Sequence, residues 1–435
     1  MTSLLTAAET RRVESLLPGT LENALRAPFY RRTLGAAALG VRTVKDLSRL
    51  PLLDKVQASR AQRTLCTRAR PAGPGVFSSG TTRGEAWHEP LQVPLSADEL
   101  RARAAVAEAA PLGDDPFPGW TLSVVSVHHG LPRRLPARDE VMVPWLHDVN
   151  ALAMLEATLA RPQPDGRRIT AMTIGSGPLK VLTAWLQQRD IDPARFGVKL
   201  IGTFSYRLSR RWQGLIERRF GATVFDNYSL SELGTPFTTC AACGWLHLGT
   251  PPLVVELLDL VRDRPAAGRR GRLVFTTLAP YSQVMPFIRY DSGDVGEVGP
   301  PCRATGQRGL RVLGRLRHGL VVDGAFALNP VDVRDTLEDF ASVARTPHPM
   351  VTLGHVQSDD VGPPRWTVWR RGRAVGVTVE TRFDPSVYPD DATALREGIA
   401  RGLAERDAVS RRLLGQGRLR VELSGRVRAL VERYD

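Results

Sequence analysis

The spacing of hydrophobic residues changes twice along the chain. Over the first 70 residues it is helical, with a predicted break at Pro18-Gly19. Up to residue 221, short apolar runs then alternate with amphipathic stretches, and this alternation of strands and helices predicts a parallel sheet with crossover helices. The predicted strands are 121–127, 169–175 and 198–204, and the predicted helices are 95–110, 151–160, 179–189 and 210–221.

After residue 251 the pattern is mainly that of strands, predicted at 253–261, 271–278, 285–299 and 310–316. Residues 316–435 alternate short strands with two helices, 331–343 and 392–407. The predicted fold class is α/β, with a large N-terminal domain (1–314) of mixed and parallel sheets flanked by helices and a small α+β C-terminal domain (315–435). The hinge between these domains is predicted at Gly314 to Gly319.

Composition restricts the class of protein. The chain has 435 residues, 43% of them hydrophobic and 24% charged, as expected of a globular protein with more than one domain. No apolar run approaches the roughly 18 to 20 residues that span a bilayer, and Glu9, Arg11 and Arg12 come too early for a signal-peptide core. The sequence therefore predicts a cytoplasmic protein without a membrane partner.

The formal net charge of +14 raises the question of nucleic-acid binding. The 59 basic residues include only four lysines, and the arginines are interleaved with acidic residues along the whole chain. A nucleic-acid-binding surface usually concentrates its positive charge on one face or segment. We therefore predict no nucleic-acid partner.

Four segments could carry chemistry: SSGTTRG (78–84), NYSLSE (227–232), RYDSGD (289–294) and LGRLRHGLVVDG (313–324). A loop of glycines and hydroxyl side chains supplies the N–H and O–H donors that a polyphosphate needs. The first segment alone would fit a surface turn equally well. The order of all four is more specific, and it resembles the adenylate-forming enzymes, particularly phenylacetate-CoA ligase-like proteins, whose corresponding elements read SSGTTGKP, YGLSE, RYRTGD and GR-x-DD followed by glycine.

This resemblance extends from about residue 20 to the end of the chain. It implies a carboxylate that attacks the α-phosphorus of ATP, with pyrophosphate as the leaving group. Asp294 would bind the ribose hydroxyls, Arg315 would contact ribose or phosphate, and Tyr228 would lie against the adenine. The full set of implied nucleotide-binding residues is Ser78, Ser79, Gly80, Thr81, Thr82, Gly84, Gly202, Thr203, Asn227, Tyr228, Ser231, Asp294 and Arg315.

The implied catalytic residues are fewer. Glu232 would hold Mg²⁺, and Arg426 stands where the family has a catalytic lysine. His128 and His129 fall where the family lines the acyl pocket, and one of them could steer a carboxylate or accept a proton. Two of these assignments also have an ordinary structural interpretation: Glu232 as a helix N-terminal residue, and the histidine pair as polar surface.

The cysteines form a separate signal. Cys240, Cys243 and His247 lie within eight residues, and Cys302 occupies a place where phenylacetate-CoA ligase-like proteins often carry a further cysteine. Three thiols and an imidazole suit a tetrahedral structural Zn²⁺ site with no open position. Buried free thiols are the alternative. Cys66 lies outside this pattern.

Three departures from the family pattern bear on function. Arg317 and His318 replace the acidic hinge residues at which the C-terminal domain of the family rotates, Arg426 replaces the lysine, and Arg83 replaces a loop glycine. Because arginine is planar and forked, it cannot act as a point charge between two oxygens. Either Arg426 substitutes with adjusted geometry, or adenylation proceeds differently.

The sequence thus predicts a ligase of specialised metabolism that uses ATP and Mg²⁺ to activate a small, aromatic carboxylic acid. The acceptor is CoA, a carrier protein or an amine, and a homodimer is compatible with the sequence. Two alternatives are activation of a non-carboxylate oxyanion such as nitrite, and a nucleotide-binding regulatory protein that has lost adenylation.

Overall fold

A computed structural model describes residues 4–68, 75–77, 92–109, 119–126, 139–234, 237–249 and 252–427. Within these ranges the α-helices are α1 (Ala7–Ala24), α2 (Pro28–Thr33), α3 (Lys55–Leu65), α4 (Ala97–Ala109), α5 (Val149–Ala160), α6 (Ser176–Gln188), α7 (Arg210–Phe220), α8 (Pro330–Leu337), α9 (Pro349–Thr352), α10 (Pro389–Arg406) and α11 (Ala408–Gly415). No helix of this described part is both long and apolar enough to cross a membrane.

The strands of the same ranges are β1 (Leu53–Asp54), β2 (Gly75–Phe77), β3 (Gln92–Pro94), β4 (Trp120–Ser126), β5 (Glu140–Trp145), β6 (Ile169–Gly175), β7 (Leu200–Phe204), β8 (Thr223–Tyr228), β9 (Phe237–Thr239), β10 (Leu246–Leu248), β11 (Val254–Leu258), β12 (Arg270–Thr276), β13 (Tyr290–Pro301), β14 (Arg308–Arg315), β15 (Leu320–Val322), β16 (Ala325–Ala327), β17 (Trp366–Arg371), β18 (Ala374–Glu380) and β19 (Leu419–Ser424).

The chain divides into two compact units. The first combines residues 1–116, 127–135 and 227–312. Its sheet is largely antiparallel, with the order β11, β12, β13, β14, β10 and β9. The short strand β1 pairs in parallel with β13, Leu53 opposite Tyr290. One apolar core joins the N-terminal helices to this sheet, with Leu17, Leu21 and Phe275 almost completely buried.

The second unit combines residues 117–126, 136–226 and 313–435. Its parallel sheet has the order β5, β4, β6, β7, β8. Helices α5, α6 and α7 contribute buried apolar side chains to the core on this sheet. Further along the chain, β17, β18 and β19 form a three-stranded sheet with its own core, to which α8, α10 and α11 contribute. The α/β fold class is thus confirmed; the domain boundary at 314/315 stays a prediction.

The structure corrects the predicted break at Pro18-Gly19. Helix α1 runs without interruption from Ala7 to Ala24 and contains Pro18. Proline inside a helix removes one backbone hydrogen bond and crowds the preceding turn, which costs about 3 kcal/mol. The buried face formed by Val13, Leu17, Leu21 and Ala24 offsets that cost, because these residues follow helical spacing across the proline.

Candidate nucleotide site and cysteine cluster

The predicted ribose aspartate lies in an irregular part of β13. The three residues from Arg272 to Val274 of β12 lie opposite the five residues from Asp291 to Val295 of β13. This is a β-bulge, and Gly293 within it has φ +74°, a left-handed conformation that glycine adopts without steric cost. The bulge places Asp294 (5% exposed) next to the end of β8, where Tyr228 Oη donates to Asp294 Oδ2 at 2.7 Å. The structure therefore brings these two predicted residues together.

Asn227 and Ser231 lie on either side of Tyr228 in the same segment. The side-chain oxygen of Asn227 accepts a hydrogen bond from Thr238 Oγ1 at 2.8 Å, which links the ends of β8 and β9. Ser231 is half-buried in the turn after β8. That turn is closed by the N–H groups of Leu233 and Gly234, both of which donate to the carbonyl of Leu230.

The turn directs Glu232 into the unit, where its side chain is 3% exposed. Tyr290 Oη donates to Glu232 Oε1 at 2.9 Å, and Lys55 Nζ lies 3.4 Å from the same oxygen. Tyr290 begins β13, four residues before Asp294. Lys55 is the first residue of α3, directly after β1. Sequence reasoning missed both contacts.

A buried ion pair fixes the segment before Lys55 and the start of β13, where Tyr290 lies. The Arg289 guanidinium donates to both oxygens of Glu256 at 3.0 Å and also to the carbonyl of Leu50. In return, the carbonyl of Arg289 accepts from the N–H of Leu53 at 3.0 Å. Burial raises the pKa of Glu256, and the charge and hydrogen bonds of Arg289 oppose that shift. Arg289 therefore ties the segment before α3 to the start of β13.

The four predicted zinc ligands converge. One ligand atom from each of Cys240, Cys243, His247 and Cys302 lies within 4.8 Å of the others. Cys243 Sγ is 3.3 Å from His247 Nε2, and Cys240 Sγ is 4.0 Å from Cys302 Sγ. In a tetrahedral zinc site, sulfur atoms bound at about 2.3 Å are separated by about 3.8 Å.

Electrostatics in this cluster fit a cation. Backbone N–H groups of Thr305 and Ala304 lower the pKa of Cys302 to about 7, whereas burial and the neighbouring thiols raise the pKa of Cys243 to about 11. Burial lowers the pKa of His247, which favours the neutral imidazole that binds metals, and His247 Nδ1 is hydrogen-bonded to Thr305 Oγ1 at 3.1 Å. A divalent ion would relieve the mutual repulsion of three thiolates.

Other predicted residues belong to the second unit. Gly202 and Thr203 are buried in β7, and Thr203 Oγ1 donates to the carbonyl of Phe225 and to Asp226 Oδ1, both at 3.3 Å. Ser205, just beyond that strand, has φ +80°. Such a conformation is unusual for a serine and occurs often at functional sites.

The hinge residues and Arg426 also lie in this unit. Arg315 is the half-buried last residue of β14. Burial and the charges of Arg317 and Arg315 lower the pKa of His318 to about 4. Arg426 is exposed just after β19; its backbone exchanges hydrogen bonds with Ser424 Oγ, and its side chain has no ion-pair partner within the described ranges. The loop residues 78–84 and the pair His128 and His129 lie outside the described residues.

Comparisons with known proteins agree with the predicted resemblance. Over 154 residues the chain is 30% identical to phenylacetate-coenzyme A ligase of Escherichia coli (strain K12), an alignment that covers 33% of each protein. The chain thus matches about a third of the length of this curated relative. No protein-family profile matches the chain.

Solved structures cover far more of the chain. An open conformation of 2-hydroxyisobutyryl-CoA ligase in complex with 2-HIB-AMP and CoA aligns with a TM-score of 0.69, covering 97% of this chain and 89% of that one at 18% identity. The same ligase in its postadenylation state, in complex with R3-HIB-AMP, aligns with a TM-score of 0.64. This alignment covers 100% of this chain and 90% of that one at 16% identity. The resemblance predicted from the four motifs is therefore confirmed at the level of the fold, which is that of 2-hydroxyisobutyryl-CoA ligase.

Proposed function

We propose that this protein is an ATP-dependent ligase that activates a carboxylic acid as its acyl adenylate and transfers the acyl group to CoA. The observation that carries the proposal is the arrangement along β13, where Tyr290 contacts Glu232 and Asp294, four residues later, contacts Tyr228. The resemblance assigns Glu232 to the metal, and Asp294 and Tyr228 to the nucleoside. The fold and the partial match to phenylacetate-coenzyme A ligase support the same conclusion.

The proposed reaction has two steps. An oxygen of the carboxylate attacks the α-phosphorus of ATP, and the bond to the bridging oxygen breaks so that pyrophosphate leaves. The sulfur of CoA then attacks the acyl carbonyl, and AMP leaves with the oxygen that it gained. The thiol proton passes to a base, for which His128 and His129 are our candidates.

The residues of the site have distinct roles in this proposal. Asp294 accepts hydrogen bonds from the ribose hydroxyls, and Tyr228 holds that carboxylate in place through the 2.7 Å bond. Glu232 offers a carboxylate oxygen to Mg²⁺, as suits a hard cation. When bound, Mg²⁺ would neutralise charge on the phosphates. The loop 78–84, Gly202, Thr203, Asn227, Ser231 and Arg315 are proposed to contact the nucleotide, and Arg426 to replace the family lysine.

We also propose that Cys240, Cys243, His247 and Cys302 hold a structural Zn²⁺. The support is the chemistry of the donor set, three sulfurs and one imidazole nitrogen within 4.8 Å of one another. With four protein ligands no coordination position stays open, so the ion would stabilise the β9–β10 hairpin and would take no part in the reaction.

Our proposal for the substrate is a small aromatic acid, in a pathway of specialised metabolism. It rests on the likeness to phenylacetate-CoA ligases and on the replacement of the lysine and of the acidic hinge residues. A carrier protein or an amine would be an alternative acceptor to CoA.

Pyrophosphate release with ATP, Mg²⁺ and a panel of aromatic and aliphatic acids tests the proposal, followed by a search for acyl-CoA when CoA is added. We expect release that depends on one class of acid and thioester formation with CoA. The matched control is Glu232→Gln, which keeps the shape of the side chain but removes its charge. ATP binding without pyrophosphate release for any acid would instead identify a nucleotide-binding protein, and release driven by nitrite would identify activation of an oxyanion other than carboxylate.

A further inference from the structure

The carboxylate of Glu232 is held by one of its two oxygens. Tyr290 Oη and Lys55 Nζ both contact Oε1, at 2.9 and 3.4 Å. In the part of the chain that the structure describes, Oε2 accepts no hydrogen bond and joins no ion pair. The side chain is nevertheless almost completely buried. One oxygen is therefore fixed while the other stays available to a ligand.

The two residues that hold Oε1 are themselves fixed by secondary structure. In the parallel pairing of β1 with β13, Leu53 lies opposite Tyr290 and Asp54 opposite Asp291. Lys55 follows Asp54 directly, and Asp54 caps α3 by accepting a hydrogen bond from the N–H of Gln57. These pairings place the ammonium and the phenol on the same oxygen of Glu232.

We propose that Lys55 and Tyr290 are positioning residues that clamp Oε1 of Glu232 and so present Oε2 to Mg²⁺. This inference rests on the proposed role of Glu232 as a magnesium ligand. Mg²⁺ demands near-ideal octahedral geometry and usually takes one or two carboxylates together with water and phosphate oxygens. A carboxylate that is already oriented loses less conformational freedom when the metal arrives, and the residues that orient a ligand commonly account for tenfold to hundredfold of metal affinity.

The hydrogen bond and the ionic contact contribute differently. Tyr290 Oη provides direction, since its ring is buried and pairs edge-on with Phe287 at 5.2 Å between centroids. Lys55 provides a positive charge, with its Nζ 3.4 Å from Oε1 of Glu232. The sequence offers a matched comparison, because Lys45 is also a lysine of the first unit but is exposed.

The test compares ATP affinity in Mg²⁺ with ATP affinity in EDTA, by calorimetry on the full chain, for Lys55→Met, Lys55→Arg, Tyr290→Phe and the control Lys45→Met. We expect the enhancement by Mg²⁺ to fall about tenfold in Lys55→Met and in Tyr290→Phe, by less in Lys55→Arg, and not at all in Lys45→Met. Electron paramagnetic resonance of Mn²⁺·ATP supplies a readout that does not depend on turnover. Thermal melts identify any variant that fails to fold, and Tyr290→Phe keeps the ring that packs in the core.

A double-mutant cycle distinguishes the two proposals. If the clamp acts through Glu232, Lys55→Met has no further effect on the Mg²⁺ enhancement in a Glu232→Gln background. An unchanged enhancement in both Lys55→Met and Tyr290→Phe would overturn the clamp while leaving the metal role of Glu232 intact. A larger enhancement in Lys55→Met would also overturn it, since Lys55 would then compete with the metal. If Glu232→Gln itself keeps the wild-type enhancement, the proposed metal role fails, and the clamp fails with it.

Discussion

Lys180 Nζ lies 2.8 Å from Glu338 Oε1, and both side chains are 1% exposed. Lys180 belongs to α6, and Glu338 follows α8 directly. Ser209 Oγ donates to the second oxygen of Glu338, and Lys180 also lies over the rings of Tyr206 and Trp212. This cluster therefore joins the helices on the parallel sheet to the segment that leads into the C-terminal sheet, within the second unit.

Lys180→Met should lower the free energy of unfolding by about 3 to 5 kcal/mol, because it leaves the Glu338 carboxylate buried without its main partner. Glu338→Gln should lower the free energy of unfolding by more than Lys180→Met does. The positive charges of Lys180, Arg334 and Arg345 all act on Glu338 and would lose their shared partner. Chemical denaturation at neutral pH measures both effects.

The exposed pair Arg371–Glu422 provides the control for this comparison. Arg371→Ala should change stability by less than about 1 kcal/mol, as is usual for an ion pair in contact with solvent. Equal losses of unfolding free energy in Lys180→Met and Arg371→Ala would contradict the inference that the buried ion pair stabilises the fold more than the exposed one.

The same cluster bears on the predicted mobility of residues 315–435. Met350, Val356 and Val361 are buried in the core that includes Leu182 of α6. A rotation of the whole segment about Gly314 and Arg315 would have to separate these contacts as well as the ion pair. Rotation thus stays a prediction, and it would require these buried contacts to break.

Stability should decrease as the pH falls from about 6.5 to about 4. Burial, with the neighbouring His147, lowers the pKa of His348 to about 4, and its Nδ1 accepts a hydrogen bond from the N–H of Met350. The unfolded state therefore binds a proton at His348 below about pH 6.5, whereas the folded state binds it only near pH 4. The contribution of neutral His348 to the free energy of unfolding is complete above about pH 6.5 and is lost as the pH falls to about 4. The loss should be about 3 kcal/mol.

Unfolding measured across this pH range, in the wild type and in His348→Asn, checks the assignment. The asparagine keeps an acceptor for the N–H of Met350 but cannot be protonated, so the acid-dependent decrease should become shallower. An identical decrease in both proteins would assign the pH dependence to other groups.

Local chemistry predicted the helices and strands well where it alone decides the outcome. Helix α7 lies within the predicted helix 210–221, where Ser209 caps it through the N–H of Trp212 and Gly221 follows it at φ +61°. Ser96 and Glu99 likewise exchange capping hydrogen bonds at the start of the predicted helix 95–110. The predicted break at Pro18 was wrong because α1 is held together by its buried apolar face. That face packs against segments far away in the sequence, and no local pattern reports such packing.

The candidate site shows the same limit. The spacing of Cys240, Cys243 and His247 is local, so three members of the cluster could be predicted directly from it, whereas Cys302 was predicted from the family resemblance. The contact between Lys55 and Glu232 depends instead on the pairing of β1 with β13, strands more than 200 residues apart. The one available hint was the rarity of lysine in a chain with 59 basic residues.

Purified protein should contain about one zinc per chain, and Cys243→Ser should lower both the zinc content and the melting temperature. Loss of one thiolate leaves three ligands and a strained site, and structural zinc contributes directly to folding free energy. Elemental analysis by mass spectrometry and thermal melts measure the two effects. Cys66→Ser is the control, because Cys66 donates to the carbonyl of Gln62 and lies outside the cluster. Wild-type protein that is stable and free of zinc would contradict the assignment.

Asp294→Asn should weaken ATP binding by about tenfold to a hundredfold, because hydrogen bonds to a charged group are worth about 1.5 to 3 kcal/mol. Tyr228→Phe should have a smaller effect, about threefold to tenfold, since it leaves the carboxylate present but less well oriented. Calorimetry with ATP measures both. Asp263→Asn removes an exposed carboxylate of the same unit and should leave the affinity unchanged. Wild-type affinity in Asp294→Asn would exclude this aspartate as the ribose ligand.

Arg426 decides between the two readings of the missing lysine. If it bridges the carboxylate and the α-phosphate, Arg426→Ala should lower acid-dependent pyrophosphate release by about a hundredfold to a thousandfold, the usual effect of removing one group that stabilises transition-state charge. ATP affinity should change little, because the interaction matters in the transition state. Arg426→Lys should retain more activity than Arg426→Ala, since a point charge can occupy the same place. The neighbouring exposed Arg420 supplies the control, Arg420→Ala. Wild-type rates in Arg426→Ala would mean that adenylation in this protein proceeds without a cation from the segment after β19.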